Sequence, residues 1–224
     1  MRYDRISADI SSKLQLDCTP IGVFFVDHVP AGVEILDEEV PSACSIWTRA
    51  QSGMFYASAE KHFHCPVGAM VMGFDLPQEI QTNLTESVGR MCRCNYITSE
   101  EPRKIPIMKQ KGVGILYGPL KDFAMEPQLI ILWLTPRQAM LCNEALGNCR
   151  WTDENPTAIF GRPGCAALPV AYENSQFTIS FGCTGMRVFT ETSENRLLAV
   201  LPGTKAQEFV NNRMRGRQKP CCPL

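Results

Sequence analysis

The apolar positions of the chain fall into short uninterrupted runs and into amphipathic stretches. The clearest runs are Ile21–Val26 and Leu129–Leu134, which have the length and composition of strands. Neither run alternates with polar residues, and such strands are usually covered on both faces of a sheet. Residues 3–16 instead place apolar side chains such as Ile6 and Ile10 at helical spacing. The pattern therefore predicts a mixed α/β protein that begins with a helix leading into a buried strand.

The remaining pattern predicts elements in an order that occurs twice. In each half an apolar strand is followed by a helix that carries a cysteine, a strand, a cysteine at a helix start, and a last strand. The further predicted strands are 54–58, 113–117, 176–180 and 196–201. The further predicted helices are 43–52, one from residue 65, 77–95, 136–147, one from residue 165 that Pro169 breaks or shortens, and 204–215.

We interpret this repeated order as a diverged internal duplication. The expected fold class is α/β (α+β mixed), with one domain over residues 1–224 built from two halves related by a pseudo-twofold axis. The halves are expected at about 17–120 and 125–213, each a small sheet with packed helices, and 214–224 are expected to form a flexible tail. The alternative is a chance likeness between two apolar stretches.

Composition and charge narrow the class of protein. The chain has 224 residues, of which 45% are hydrophobic and 20% charged, as in an ordinary globular domain. A formal net charge of −1 gives no reason to expect nucleic acid or an anionic membrane as a partner. The N-terminus lacks the pattern of a signal peptide, and the apolar runs are too short to span a bilayer. We therefore expect a cytoplasmic protein.

Eleven cysteines are many for such a chain. Their odd number and the lack of a secretion signal argue against a full disulfide framework. Reduced thiols kept for metal or redox chemistry account for the count better. Four of the cysteines recur in the repeat, with Cys44 equivalent to Cys165 and Cys65 equivalent to Cys183. Four converging thiolates would bind zinc or an iron–sulfur cluster. Because the four are scattered over both halves, we expect a cluster in the seam between the halves.

Cys65 and Cys183 each stand before a predicted helix with a glycine close behind, Gly68 and Gly185. A helix N-terminus favours the thiolate form, which binds metal, and glycine lets backbone amides approach an anionic ligand. Arg187 could donate hydrogen bonds at the same place. The alternative is a pair of buried cysteines at tight packing points, where glycine is needed anyway.

Two histidines, His62 and His64, precede Cys65. On an extended segment the two rings would share one face, and they could line the cysteine site as proton donors or as an axial ligand. Cys142 and Cys18 are expected to belong to the core instead.

Six segments of the chain stand out together, namely Pro20 to Phe25, Cys44 to Gly53, His64 to Gly73, Tyr117 to Leu120, Pro136 to Met140 and Gly182 to Arg187. These segments resemble the prokaryotic family known as domain of unknown function 169. The likeness runs from about residue 12 to 213, with the segments in the family's order. It implies a cytosolic protein, common in anaerobic bacteria and archaea, with recurring cysteines at the four repeat positions. It implies no particular reaction.

Three functions remain open from the sequence. The first is a cytosolic protein that binds a [4Fe-4S] cluster, with zinc as the alternative metal, through Cys44, Cys65, Cys165 and Cys183. It would have an electron-transfer or redox role in anaerobic metabolism, with a redox partner protein or a small molecule as its partner and a homodimer as one possible assembly. The second is a small-molecule or metal-binding module without redox chemistry. The third is a thiol enzyme with Cys65 or Cys183 as nucleophile and His62 or His64 as base.

Overall fold

The computed structural model describes residues 2–146 and 157–212. Its strands are β1 Ile21–Val26, β2 Glu34–Ile35, β3 Phe55–Ser58, β4 Gly114–Pro119, β5 Leu129–Leu134, β6 Ala158–Phe160, β7 Thr178–Ser180 and β8 Leu197–Pro202. Its α-helices are α1 Arg2–Leu14, α2 Ala43–Arg49, α3 Pro66–Val71, α4 Gln78–Arg93, α5 Pro136–Ala145, α6 Ala167–Asn174, α7 Thr184–Phe189 and α8 Ala206–Asn211. Short 3-10 turns occupy 59–62, 101–104, 120–122, 164–166 and 203–205.

All eight strands belong to one mixed sheet, in the order β2-β3-β4-β1-β5-β8-β7-β6. The two edge pairs, β2 with β3 and β6 with β7, are parallel, and all other neighbours are antiparallel. The first four strands form one half of the sheet and the last four the other half. The half-sheets join through β1 and β5 at the centre, so the mixed α/β class is confirmed and the sheet is continuous.

The strands pair in the same register on both sides of the central β1–β5 pair. Gly22 lies opposite Ile130 in the β1–β5 pair. Pro119 pairs with the first residue of β1, and Pro202 pairs with the first residue of β5. Strand order, strand direction and register therefore agree between the halves. The pseudo-twofold axis and the internal duplication stay predictions.

The two faces of the sheet bury separate apolar cores. Along β5, Leu129, Ile131 and Trp133 enter one core while Ile130, Leu132 and Leu134 enter the other, as expected when successive side chains point to opposite faces. Helices α2, α3, α6 and α7 cover the first face, and α1, α5 and α8 cover the second. This double cover explains why the central strands have no polar alternation.

Most predicted elements are present, with ends shifted by a few residues. The two-residue strand β2 and the three-residue strand β6 were not predicted, because they are too short to show a period. The expected break at Pro169 is wrong: a 3-10 turn precedes α6, and Pro169 then lies in the first helical turn, where its missing N–H costs no hydrogen bond.

Some predictions concern residues outside the described ranges. They are the ends of the helices predicted to reach 147 and 215, and the tail at 214–224. Within the described ranges, none of the helices combines the length and the apolarity needed to cross a bilayer.

Candidate functional site

Each of the four repeat cysteines lies where a strand or connection enters a helix on the first face of the sheet. Cys44 is the second residue of α2, and Cys165 lies in the 3-10 turn before α6. Cys65 caps the N-terminus of α3, which follows β3, and Cys183 caps α7, which follows β7. Equivalent cysteines thus occupy equivalent places in the two halves of the sheet.

The structure brings all four thiols within electrostatic reach of one another. Cys165, Cys183 and Cys65 each raise the pKa of the Cys44 thiol, after the larger effect of its burial. Burial also raises the pKa of Cys165, and Cys65 and Cys183 add to the rise. Cys183 in turn raises the pKa of Cys65, for which burial is again the main cause. Every pair among the four is therefore coupled.

Close packing at glycine holds each half of this cysteine cluster together. A Cβ at Gly68 would lie 2.9 Å from the Cβ of Ala43 and 3.2 Å from the Cys65 sulfur, so glycine lets α3 approach α2. In the other half, a Cβ at Gly164 would lie 3.2 Å from the Cα of Gly182, beside the turn that carries Cys183. In each half, the absence of a side chain at the glycine lets the segment of one cysteine pack against the segment of the other. Close packing is therefore sufficient reason for glycine at both positions.

Contacts also cross between the halves at the same place. Helix α2 packs against α7, and α3 packs against the 164–166 turn. The Ser45 hydroxyl donates a hydrogen bond to the backbone oxygen of Phe189 at 3.2 Å. The four cysteines therefore lie near one another at a seam between the two halves of the sheet, in the layer of helices above the central strands.

Backbone amides face the sulfurs at three of the four positions. The Met186 amide donates to the Cys183 sulfur at 3.5 Å. The amides of Gly68 and Ala43 lower the pKa of Cys65, although its side chain makes no full capping bond. The amides of Cys165 and Ala166 lower the pKa of Cys165 in the same way. Amide donors aimed at sulfur stabilise the thiolate form rather than the thiol.

Burial is nevertheless the largest influence on the pKa of Cys44, Cys65 and Cys165. Cys44 and Cys165 are each 4% exposed, and Cys65 and Cys183 are half-buried. The sequence argument predicted that the helix start lowers the pKa of Cys65, but the net direction is upward because loss of solvation outweighs the amides. A bound cation would reverse this balance, since thiolates form when a metal supplies the compensating charge.

The side chains of the cysteine cluster are thiols, which as thiolates are ligands for zinc and for iron–sulfur clusters. Four thiols, amide donors and an apolar surround match the chemistry of a thiolate-held group. Among the described residues, no group of three or more His, Cys, Asp or Glu side chains is close enough to hold one metal ion as the side chains stand. The sulfurs are thus near one another without converging on a single point.

His62 belongs to the structure beneath the cluster and not to a catalytic pair. Its ring is fully buried, with Nδ1 at 2.8 Å from the Ser58 carbonyl and Nε2 at 3.1 Å from the Tyr117 hydroxyl. A carbonyl only accepts, so Nδ1 carries the proton and Tyr117 donates to Nε2. Burial lowers the His62 pKa to about 4, which keeps the ring neutral. Both nitrogens are occupied, so His62 does not serve as a base for Cys65.

Sequence reasoning missed two aromatic residues next to the thiols. Burial raises the pKa of Tyr117, a hydrogen bond from the Trp47 side chain opposes the rise, and Cys44 and Cys165 add to it, which places the phenol beside both cysteines. Trp47 lies one helical turn after Cys44 on α2 and is fully buried. The turn spacing could have identified Trp47, because positions i and i+3 share a helix face. No local sequence pattern identifies Tyr117 as a neighbour of the cysteines.

The residues expected around the cysteine ligands differ in whether they contact a sulfur. Gly68 touches Cys65, and a Cβ at Gly185 would lie 4.0 Å from the Cys183 sulfur. Arg187 donates hydrogen bonds to the carbonyls of Phe181 and Ser193. Its guanidinium therefore stabilises the turn that carries Cys183 and does not bind a sulfur. His64 is exposed, and its ring has no hydrogen-bond partner within the described part of the chain.

The other described cysteines lie elsewhere. Cys142 is buried in the core on the second face of the sheet, while the half-buried Cys92 and the exposed Cys94 lie at the end of α4. Cys18 packs against the first core beside Asp17, which accepts a hydrogen bond from its thiol at 3.4 Å. Cys149, Cys221 and Cys222 lie outside the described residues. The four repeat cysteines are thus a distinct group within the described chain.

Comparison with known proteins adds a family and no activity. The family model described as uncharacterised ArCR, domain of unknown function 169, matches residues 9–212. No curated protein and no solved structure showed significant similarity to the chain. The match spans both halves of the sheet and all four clustered cysteines, and the resemblance seen in the sequence is confirmed. The chain belongs to the domain of unknown function 169 family.

Proposed function

We propose that this protein binds a [4Fe-4S] cluster through Cys44, Cys65, Cys165 and Cys183 and acts in the cytoplasm as an electron-transfer or redox component of anaerobic metabolism. The observation that carries the proposal is the packing of α2 against α7 and of α3 against the 164–166 turn, which brings the four thiols within electrostatic reach of one another. The ligands of a four-iron cluster bind four different irons, so they need not converge on one point. A zinc ion held by the same thiols is the alternative.

Charge balance also supports a cationic cofactor. Several anionic thiolates in a mostly apolar layer would repel one another and lose their hydration. Amides directed at the sulfurs of Cys65, Cys165 and Cys183 offset part of that cost but not all of it. A metal cluster supplies the missing positive charge and one-electron chemistry. We therefore expect binding to release protons from thiols that are neutral in the metal-free protein.

The surroundings suit exchange of electrons with a partner. Cys44 and Cys165 lie in the core, where water is excluded, while Cys65 and Cys183 approach the surface. Apolar side chains are exposed near Cys183, namely Phe181, Val188 and Phe189. Exposed apolar surface of this kind is typical of contacts with other proteins. We expect a redox partner protein or a small redox-active molecule to approach from this side.

Anaerobic purification followed by reconstitution with iron and sulfide tests the proposal. The expected result is a broad brown absorption with about four irons and four sulfides per chain. Each of the replacements Cys44→Ser, Cys65→Ser, Cys165→Ser and Cys183→Ser should remove or strongly weaken the absorption. Cys142→Ser is the matched control, because that thiol lies on the opposite face of the sheet. A colourless protein, or one that retains only zinc, would refute the proposal.

A further inference from the structure

Residues 75–107 form an arm that leaves the body of the protein and returns to the same place. Its two ends are anchored by Phe74 and Met108, which are 6% and 1% exposed. The Met108 amide donates a hydrogen bond to the Val71 carbonyl at 2.8 Å, so the two ends of the arm meet beside α3. Between these two anchors, all of which the structure describes, none of the residues is buried.

Helix α4 is the main element of the arm. Its apolar side chains recur every four residues and therefore form one stripe along the helix, namely Ile80, Leu84, Val88 and Cys92. These side chains are half-buried while the charged residues of the helix are exposed, so the stripe is the side of α4 that is turned towards the protein. A helix packed firmly on a core buries such a stripe completely. The arm is therefore packed loosely on the body of the protein.

The arm crosses the seam between the two halves of the sheet. Near its base, α4 packs against α3, the helix that Cys65 caps. Beyond the far end of α4, the hydroxyl of Tyr96 lies 3.5 Å from the hydroxyl of Thr184, the residue that follows Cys183. The arm thus runs from the helix of Cys65 in the first half to the helix of Cys183 in the second half. These two thiols are the less buried members of the cysteine cluster.

Arg162 holds the far end of the arm on the second half. It lies three residues before Cys165, and its guanidinium lies over the Tyr96 ring, 4.3 Å from the ring centroid. The same side chain donates a hydrogen bond to the Tyr96 carbonyl at 2.6 Å and lies 3.6 Å from the Glu101 carboxylate. The side chains of Arg162 and Glu101 are 41% and 49% exposed, and cation–π contacts and ion pairs at such exposure are individually weak. Contacts of this strength can break and re-form.

Other polar contacts of the arm are internal to it. Lys104 pairs with Glu100 at 3.2 Å, and Glu101 accepts a hydrogen bond from the Thr98 amide at 3.2 Å. A movement of the arm about its base would leave these contacts intact and would break those to Arg162 and Thr184.

We propose that the arm is a lid over the cysteine cluster, which opens about its base at Phe74 and Met108 and is held closed by Arg162. Opening uncovers Cys65 and Cys183, so whatever the four thiols bind enters and leaves on this side. A half-buried stripe suits a lid, because opening it exposes little surface that was fully buried. The inference concerns the metal-free chain and does not depend on the proposed cluster.

Alkylation of the reduced, metal-free protein tests the lid, with iodoacetamide as the reagent and mass spectrometry to follow each cysteine. Arg162→Ala should speed the modification of Cys65 and Cys183 by about 5- to 10-fold, because it removes the ring contact and the ion pair that hold the arm. Arg90→Ala is the matched control, since this exposed arginine and its carboxylate partner Glu86 both belong to the arm. Unchanged rates in Arg162→Ala, or an equal rise in Arg90→Ala, would overturn the inference.

A second variant separates opening of the lid from loss of folding. Tyr96→Leu removes the ring beneath Arg162 at a position that is 46% exposed, so it leaves the core intact. It should also speed the modification of Cys183, and the double variant with Arg162→Ala should react no faster than Arg162→Ala alone, because both changes break the same contact. Cys142, in the core on the opposite face of the sheet, should stay unmodified throughout. Additive effects, or modification of Cys142 as fast as that of Cys183 in Tyr96→Leu, would show that no such lid exists.

Discussion

The buried His62 makes the metal-free protein sensitive to acid in a way that can be calculated. Its pKa is about 4 in the folded chain against an ordinary value of 6.5, because burial disfavours the charged ring. Between these values the unfolded chain takes up a proton that the folded chain does not. The stabilisation is therefore fully present above pH 6.5 and is lost as the pH falls towards 4.

The size of the effect follows from the same shift. Lowering the pH from 7 to 5 should reduce the contribution of His62 to the free energy of unfolding by about 2 kcal/mol, out of about 3 kcal/mol for the whole shift. Other groups titrate over this range as well. The wild type must therefore be compared with a variant that lacks only this titration.

His62→Gln provides that comparison. Its amide oxygen can still accept from Tyr117, but the side chain does not titrate. Urea unfolding of both metal-free proteins under reducing conditions gives the free energies. His62→Gln should be the less stable protein at pH 7, because it loses the bond to Ser58. Its deficit should shrink by about 2 kcal/mol at pH 5. If both proteins lose the same free energy between the two pH values, the assignment of a buried neutral His62 is wrong.

Two further predictions concern the cysteine cluster and its packing. In the metal-free folded protein, iodoacetamide should modify the exposed Cys94 well before Cys44 and Cys165, whose pKa values burial raises; mass spectrometry that finds equal rates at the three sites would contradict the structure. Gly68→Ala should lower the free energy of unfolding by about 1–2 kcal/mol, because the new Cβ would meet Ala43 at 2.9 Å. The matched control Gly89→Ala meets only the end of the Arg93 side chain at 3.4 Å and should raise stability by about 0.5–1 kcal/mol. Denaturant unfolding of both variants checks the pair, and a Gly68→Ala protein as stable as Gly89→Ala would argue against close packing of α2 and α3.

The central strands were predictable because their signal is local. The runs at 21–26 and 129–134 coincide with β1 and β5, since a strand covered on both faces needs apolar residues at every position. The order of strands and helices in each half could also be predicted from the sequence. The edge strands β2 and β6 were not, because two or three residues in a parallel pair are held by their neighbour and not by their own pattern.

The roles of the residues around the thiols could not be read in the same way. His62 and His64 look alike in sequence, yet one is fully buried and the other exposed. The partner of His62 is Tyr117, 55 residues further along the chain. Trp47 meets Trp133 across two elements of different halves. Contacts of this kind depend on how the sheet and helices pack, which no local pattern records.

The sequence by itself determined the α/β class and the family. It also predicted a site at four of the eleven cysteines. These four cysteines were selected because the predicted repeat places them at equivalent points of two similar stretches. Only the tertiary structure decided that the four thiols are mutually coupled, and that burial raises the pKa of Cys65 although a helix starts there. The physical reason is that solvation depends on everything that covers a group, whereas the sequence shows only the residues beside it.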